Sequence, residues 1–118
     1  MSADPCRWFG VACTGGRVFK LIMESNNLAG SIPAELGSLP ALNDLRLNSN
    51  NLTGSIPAEL GNLSSLATLL LASNELSGVV PLPAAVLGGE LQQIDRSRCN
   101  LESNPGLSMP DSQDYYGC

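Results

Sequence analysis

At 118 residues, with 43% hydrophobic but only 4% aromatic side chains, the chain supports one small domain whose core must be aliphatic. Its formal charge of −5 is uneven, with four acids and four bases in residues 1–50 but seven acids and two bases in residues 51–118. That balance argues against a nucleic-acid or anionic-membrane surface, which needs clustered Lys and Arg, and no run is long and apolar enough to span a bilayer.

The N-terminal segment, residues 1–17, reads as a cap. Asp4–Arg17 is DPCRWFGVACTGGR, with Trp8, Phe9 and Val11 between Cys6 and Cys13, and Gly15-Gly16 turning the chain into the first repeat. Trp8 suits a lid over an open apolar edge, since its ring is large and its N–H can reach a carbonyl; a ligand anchor at the rim is the other use. A Cys6–Cys13 bridge would hold such a lid closed. The four cysteines, at 6, 13, 99 and 118, sit at the two ends, which points to disulfides in an oxidising compartment. A zinc site is the rival, but there is no CxxC pair and no histidine. Met1-Ser2-Ala3 does not read as a signal peptide, so a mature fragment with an added Met is expected.

Residues 18–90 repeat with a period of about 24. Glu24–Leu39 and Asn48–Leu63 match at 13 of 16 positions without a gap. A period of this size with leucines at fixed offsets predicts a solenoid, each unit a single supersecondary element. Val18, Leu42, Leu66 and Leu91 open the units; Leu21, Leu45, Leu69 and Ile94 form a second column, and Leu28, Leu52, Leu76 and Leu101 a third. Met23, Leu47 and Leu71 form the fourth, which Arg96 breaks. Leucines alternating with polar residues predict strands with one buried face, stacked about 4.8 Å apart in a parallel sheet.

Asn26, Asn50 and Asn74 form a polar column within this apolar stack. A buried amide must bond backbone at the turn after each strand, so these side chains predict a structural ladder linking neighbouring turns. Cys99 occupies that offset in the fourth unit and cannot copy an amide, so the ladder is expected to end at Asn74. Gly30, Gly54 and Gly78 then permit positive φ, Pro33, Pro57 and Pro81 fix φ, and Ala34–Leu39 and Ala58–Leu63 suit short 3₁₀ turns. The third unit carries an extra residue and a second proline, Pro83, so its outer side is expected to be irregular.

These units resemble the plant-type extracellular leucine-rich repeat, LxxLxLxxNxLxGxIPxxLGxLxx, closely over Val18–Ser65. The stretch DPCRWFGVAC resembles the cysteine–tryptophan cap of plant receptor kinase ectodomains and polygalacturonase-inhibiting proteins. The resemblance implies an α/β solenoid: a right-handed arc with a concave parallel β-sheet, short 3₁₀ turns on the convex side, a second short strand at the SIP segment and disulfide-stapled caps. It also implies a Cys6–Cys13 pair, which by elimination leaves Cys99 with Cys118. Residues 91–118 read as a degenerate fourth repeat and C-terminal cap, with an Asp114-Tyr115 tail whose tyrosine suits capping better than sulfation.

Catalysis is not expected. Without histidine there is no Ser/His or Cys/His system, the glycines recur at turn positions, and the paired Glu35 and Glu59 share one repeat offset. Neither cofactor nor metal is expected. The concave face is the default binding surface of such an arc, and alternation puts Lys20, Ile22, Glu24, Asp44, Arg46, Asn48, Thr68, Leu70, Ala72, Gln93, Asp95 and Ser97 on it. The mixture of apolar and both charged types suits a protein or peptide partner better than a polyanion; for any one residue a solvated sheet face is the simpler account. Asn51 and Asn62 open N-glycosylation sequons, both expected on exposed turns. The sequence thus predicts an extracellular or secreted recognition module of the cell surface or wall. The alternative is a structural block that self-associates in a wall, filament or other extracellular assembly.

Overall fold

The computed structural model describes residues 4–79 and 99–108. Asp4 opens the cap: its carboxylate accepts from the Cys6 N–H at 3.0 Å and starts a 3₁₀ turn over Pro5–Arg7. Cys6 is disulfide-bonded to Cys13, with their Cα atoms 5.5 Å apart. Cys13 lies on strand β1, Val11–Thr14, which pairs antiparallel with β2, Arg17–Ile22. The connecting Gly15-Gly16 has φ of +56° and +78°, the two positive values that a tight two-residue hairpin turn requires.

From β2 the chain winds in layers. β4 (Asp44–Arg46), β6 (Thr68–Leu70) and β8 (Cys99–Asn100) extend a parallel ladder, giving a five-stranded sheet in the order β1-β2-β4-β6-β8. A second parallel sheet stacks β3 (Ala29–Ser31), β5 (Asn51–Gly54), β7 (Glu75–Val79) and β9 (Gly106–Ser108). The resemblance placed this strand on the SIP segment; it lies just ahead of Ile-Pro, because Ile32 and Ile56 turn into the core. Pro33 and Pro57 then precede 3₁₀ turns at Ala34–Ser38 and Ala58–Asn62 on the far side. Among the described residues the helical segments are all 3₁₀, so the "α" of the expected class is absent there.

The core between the sheets and the outer turns is almost wholly leucine. Leu42, Leu45, Leu60, Leu69, Leu71, Leu76 and Leu101 are fully buried, with Val18, Leu21, Met23 and Leu28 of the first layer partly buried against them. Each fully buried leucine contributes about 1.5–3 kcal/mol. Trp8 does not serve as a lid. It is 42% exposed, and the edge is covered instead by β1, whose Val11 pairs with Leu21.

The amide ladder is deeper than its sequence signature and displaced at both ends. The Asn50 carboxamide accepts from the N–H groups of Asn26 and Leu28 and donates to the carbonyls of Met23, Leu47 and Asn48, at 2.9–3.2 Å. Asn74 accepts from Leu52 N–H and donates to Leu47, Leu71 and Ala72. The Asn26 side chain is exposed and, among the described residues, donates to the Glu24 carbonyl alone, since the first unit has no earlier repeat turn to reach. The next rung after Asn74 is Asn104, which accepts from Leu76 N–H and donates to Leu71, Leu101 and Glu102.

This overturns the expected register of the fourth unit. Cys99 pairs with Leu69 in the sheet and is not in the ladder position; Leu101 follows Leu47 and Leu71, not Leu28, Leu52 and Leu76. The step is 24 residues from Leu45 to Leu69 but 30 from Leu69 to Cys99, so the ladder does not end at Asn74 and the fourth strand begins later than a start at 91 implied. The physical reason lies in the turn. Ser25, Ser49, Ser73 and Ser103 all have φ between +55° and +58°, and the next residue in each case is asparagine. The left-handed serine turns backbone groups inward, where only the following amide can satisfy them. Leu91, Ile94, Arg96 and the Cys99–Cys118 pairing lie outside the described residues or side chains, as do Tyr115 and the tail.

Candidate ligand-binding face

Register on the five-stranded sheet sets its outward residues in rows. Lys20, Asp44 and Thr68 are neighbours on β2, β4 and β6, and Ile22, Arg46 and Leu70 form the next row, with the Asn100 backbone in register beside Leu70. The sequence assigned Gln93, Asp95 and Ser97 to the fourth strand; they lie outside the described residues, and the 30-residue step puts Asn100 beside Leu70 instead. Glu24 is exposed just past β2, and Asn48 and Ala72 are half-buried at the matching positions.

Asp44 is only 5% exposed and Thr68 only 8%, so two polar groups are sunk between flanking strands. Arg46 holds Asp44 with its fork, Nε to Oδ1 at 2.9 Å and Nη2 to Oδ2 at 3.1 Å. The hydrogen bond to Asp44 raises the guanidinium's pKa, burial opposes this, and the charges of Asp44 and Glu24 add to the rise. Asn48 donates weakly to Glu24 at 3.4 Å.

A depression of about 300 Å³ opens on this face, walled by Lys20, Asp44, Arg46, Thr68 and Leu70, with Asn43 and Ala67 at its side. Sequence reasoning missed Asn43 and Ala67, because strict alternation gives weight only to strand positions and these residues precede their strands. The signal available was their shared repeat offset. The carbonyl oxygens of the Asn43 and Asn48 side chains are buried with no hydrogen-bond partner. Unpaired buried acceptors are rare in folded proteins, and these two are sunk beneath the surface, out of reach of a ligand. The face therefore offers two cations, Arg46 held by Asp44 and Lys20 with its ammonium 5.6 Å from the centre of the Phe19 ring, a sunken hydroxyl and an apolar Leu70. No cluster of His, Cys, Asp or Glu able to hold a metal occurs among the described residues.

The two sequon asparagines lie away from this face. Asn51 is exposed on β5 of the second sheet, and Asn62 is exposed at the end of the second outer 3₁₀ turn. Among the described residues no helix is long and apolar enough to cross a membrane.

Comparison with known proteins agrees with this architecture. The family model "Leucine Rich Repeat" matches residues 41–63. A probable leucine-rich repeat receptor-like protein kinase of Arabidopsis thaliana is 44% identical over 46 residues, 39% of this chain and 6% of the relative. The leucine-rich-repeat ectodomain of the plant membrane receptor kinase GASSHO1/SCHENGEN3 from Arabidopsis thaliana, solved with CASPARIAN STRIP INTEGRITY FACTOR 2, superposes with a TM-score of 0.69 at 34% identity. That match covers 91% of this chain and 12% of that one. The Arabidopsis receptor kinase HAESA ectodomain, solved with a peptide hormone ligand, gives a TM-score of 0.55 at 38% identity, covering 75% of this chain and 13% of that one. The chain resembles plant leucine-rich-repeat receptor ectodomains while spanning a small fraction of the length of each relative.

Proposed function

We propose that this chain is an extracellular recognition module that binds a protein or peptide ligand on the outward face of its five-stranded sheet, the concave side of a right-handed arc. The observation that carries the reading is the depression between Lys20, Asp44, Arg46, Thr68 and Leu70, which sets charged, polar and apolar groups around one hollow. An extended peptide laid across such a face sets alternate side chains against Leu70 and Lys20. The similar HAESA structure, which holds a peptide hormone, supports the ligand class. The four strands from β2 to β8 span only about 15 Å, so the ligand contact is one short segment.

The test is selection of short peptides from a displayed random library on the native chain, followed by comparison with Leu70→Glu and Lys20→Gln. Both residues are half-buried at the surface, so neither substitution should move Tm. Arg46 is the wrong probe, because it holds the buried Asp44 and its reversal would alter stability as well as binding. Enriched peptides should lose tenfold or more in affinity for the variants, about 1.4 kcal/mol. Peptides that bind native and variant chains equally would remove the sheet face from the proposal.

A further inference from the structure

Of the ten asparagines in the chain, only Asn51 and Asn62 have a hydroxyl residue two positions on, in Asn51-Leu52-Thr53 and Asn62-Leu63-Ser64. Both triplets lie in the second unit, and the fold treats them alike. Leu52 is 5% exposed and Leu63 1%, while the asparagine and the hydroxyl residue flanking each are exposed. On β5 strand alternation turns Leu52 into the core and Asn51 and Thr53 outward together. At Asn62 the outer 3₁₀ turn ends, and the Ser64 N–H bonds the Asn62 carbonyl at 3.0 Å, with Leu63 inward between them.

The two side chains also differ from the other asparagines in what they bond. The carboxamides of Asn26, Asn48, Asn50, Asn74 and Asn104 each donate to another group of the chain. Those of Asn51 and Asn62 hydrogen-bond to no described residue, so neither holds any part of the fold in place. The neighbouring layers present the same outward geometry and miss the chemistry by one residue. Asn27-Leu28-Ala29 lacks the hydroxyl, and Glu75-Leu76-Ser77 lacks the amide.

We propose that the secreted chain carries N-linked oligosaccharides on both Asn51 and Asn62, and that these glycans close two of its surfaces to partners; the inference rests on the extracellular reading above. In the transfer, Nδ2 of the asparagine bonds to the anomeric carbon of an oligosaccharide held on a lipid diphosphate. The anomeric C–O bond breaks, the lipid diphosphate leaves with the electron pair, and the amide gives up one proton. The Asn51 glycan stands on the second sheet, among the small exposed side chains of Ala29, Ser31, Thr53 and Ser77. The Asn62 glycan stands on the outer turns. Glycans are bulky and hydrated, so these two surfaces face solvent, and the five-stranded sheet is left open.

The test is mass spectrometry of the full chain secreted from cultured plant cells. Release of the glycans by a peptide-N-glycosidase in heavy-oxygen water converts each occupied asparagine to a labelled aspartate. Most molecules should carry the label at both Asn51 and Asn62, and none at Asn27, which controls for spontaneous deamidation. Thr53→Ala should lose the Asn51 glycan alone and Ser64→Ala the Asn62 glycan alone, each with its asparagine in place and circular dichroism unchanged. Peptides selected on the deglycosylated chain should bind the glycosylated chain within about twofold. Unlabelled Asn51 or Asn62 in most of the secreted chain, label that survives loss of the hydroxyl, or equal label at Asn27 would overturn the modification. A tenfold loss of peptide affinity on the glycosylated chain would overturn the division of surfaces. A chain that is labelled at both sites and selects no peptide would instead sink the ligand reading alone.

Discussion

The second unit, residues 42–65, and the fourth unit around Cys99–Ser108 share a polar turn but little of their apolar sequence. In the second unit Leu42, Leu45, Leu47 and Leu52 are all buried at the expected offsets, and the strand, turn and 3₁₀ segments follow the repeat. In the fourth, Cys99 stands where Leu45 and Leu69 stand, and Leu101 stands in the column of Leu47 and Leu71. Leu107 reaches the core one residue later than Leu52 or Leu76 do, through a turn in which its N–H bonds the Asn104 carbonyl at 3.0 Å. What both units keep is a left-handed serine followed by a buried asparagine. Leucines can be replaced by other apolar groups at modest cost, but a turn whose backbone faces inward has few other ways to be satisfied. The amide turn, more than the leucine count, sets where a layer sits.

The sharpest way to break this comparison is to remove rungs of the ladder one at a time. Asn74→Leu strands the buried Leu52 N–H and the Leu47 and Leu71 carbonyls together, and should cost about 3 kcal/mol or more. Asn104→Leu breaks the same pattern at the outermost described layer, where the chain can relax, and should cost about half as much. Asn26→Ala should stay within about 0.5 kcal/mol, because its side chain is exposed and bonds a single carbonyl. Urea midpoints on the three variants give the order directly. If Asn104→Leu proves as harmless as Asn26→Ala, the fourth unit is not held by its turn.

Next in size is the cap. The Cys6–Cys13 bond spans a sequence separation of 7, and chain-entropy reasoning gives roughly 2.5 kcal/mol for closing so short a loop. No described residue of the cap is fully buried, so a Cys6→Ser/Cys13→Ser chain should lose about that much and leave the repeats folded. Thermal unfolding with and without reductant checks it. A loss of all cooperative unfolding would mean that the cap nucleates the stack instead of finishing it.

Much of the first three layers was legible in the sequence. The leucine columns, the 3₁₀ turns after Pro33 and Pro57 and the amides of Asn50 and Asn74 follow from repetition, because a residue recurring every 24 positions meets the same surroundings in each layer. The fourth layer was misread because Leu91 and Ile94 satisfy the apolar spacing, while the Ser103-Asn104 pair that sets the register comes after six residues of added chain. Trp8 was misread for a different reason. A large ring suits a lid, but the β1–β2 hairpin already covers the first leucine layer, leaving the ring 42% exposed. The candidate face was legible as rows of outward residues; the Asp44–Arg46 pairing was not, since residues two apart on a strand share a face without having to touch.

That pairing supplies a smaller expected effect than the ladder rungs or the cap and sets the ligand face apart from the layers beneath it. Arg46 has a side chain 37% exposed while its partner carboxylate is 7% exposed, so solvent screens one end of the ion pair and not the other. Arg46→Met should leave the Asp44 charge sunk and unpaired, and Asp44→Asn should remove that charge at the expense of the fork. In the double variant both terms vanish. The coupling energy from the four urea midpoints should come to about 1 kcal/mol, above an exposed surface pair and well below a rung of the ladder. A coupling as large as the cost of Asn74→Leu would make the pair part of the fold's framework. A coupling near zero would leave Arg46 free to turn from Asp44 to a ligand, and the sheet face would then be shaped by what binds it.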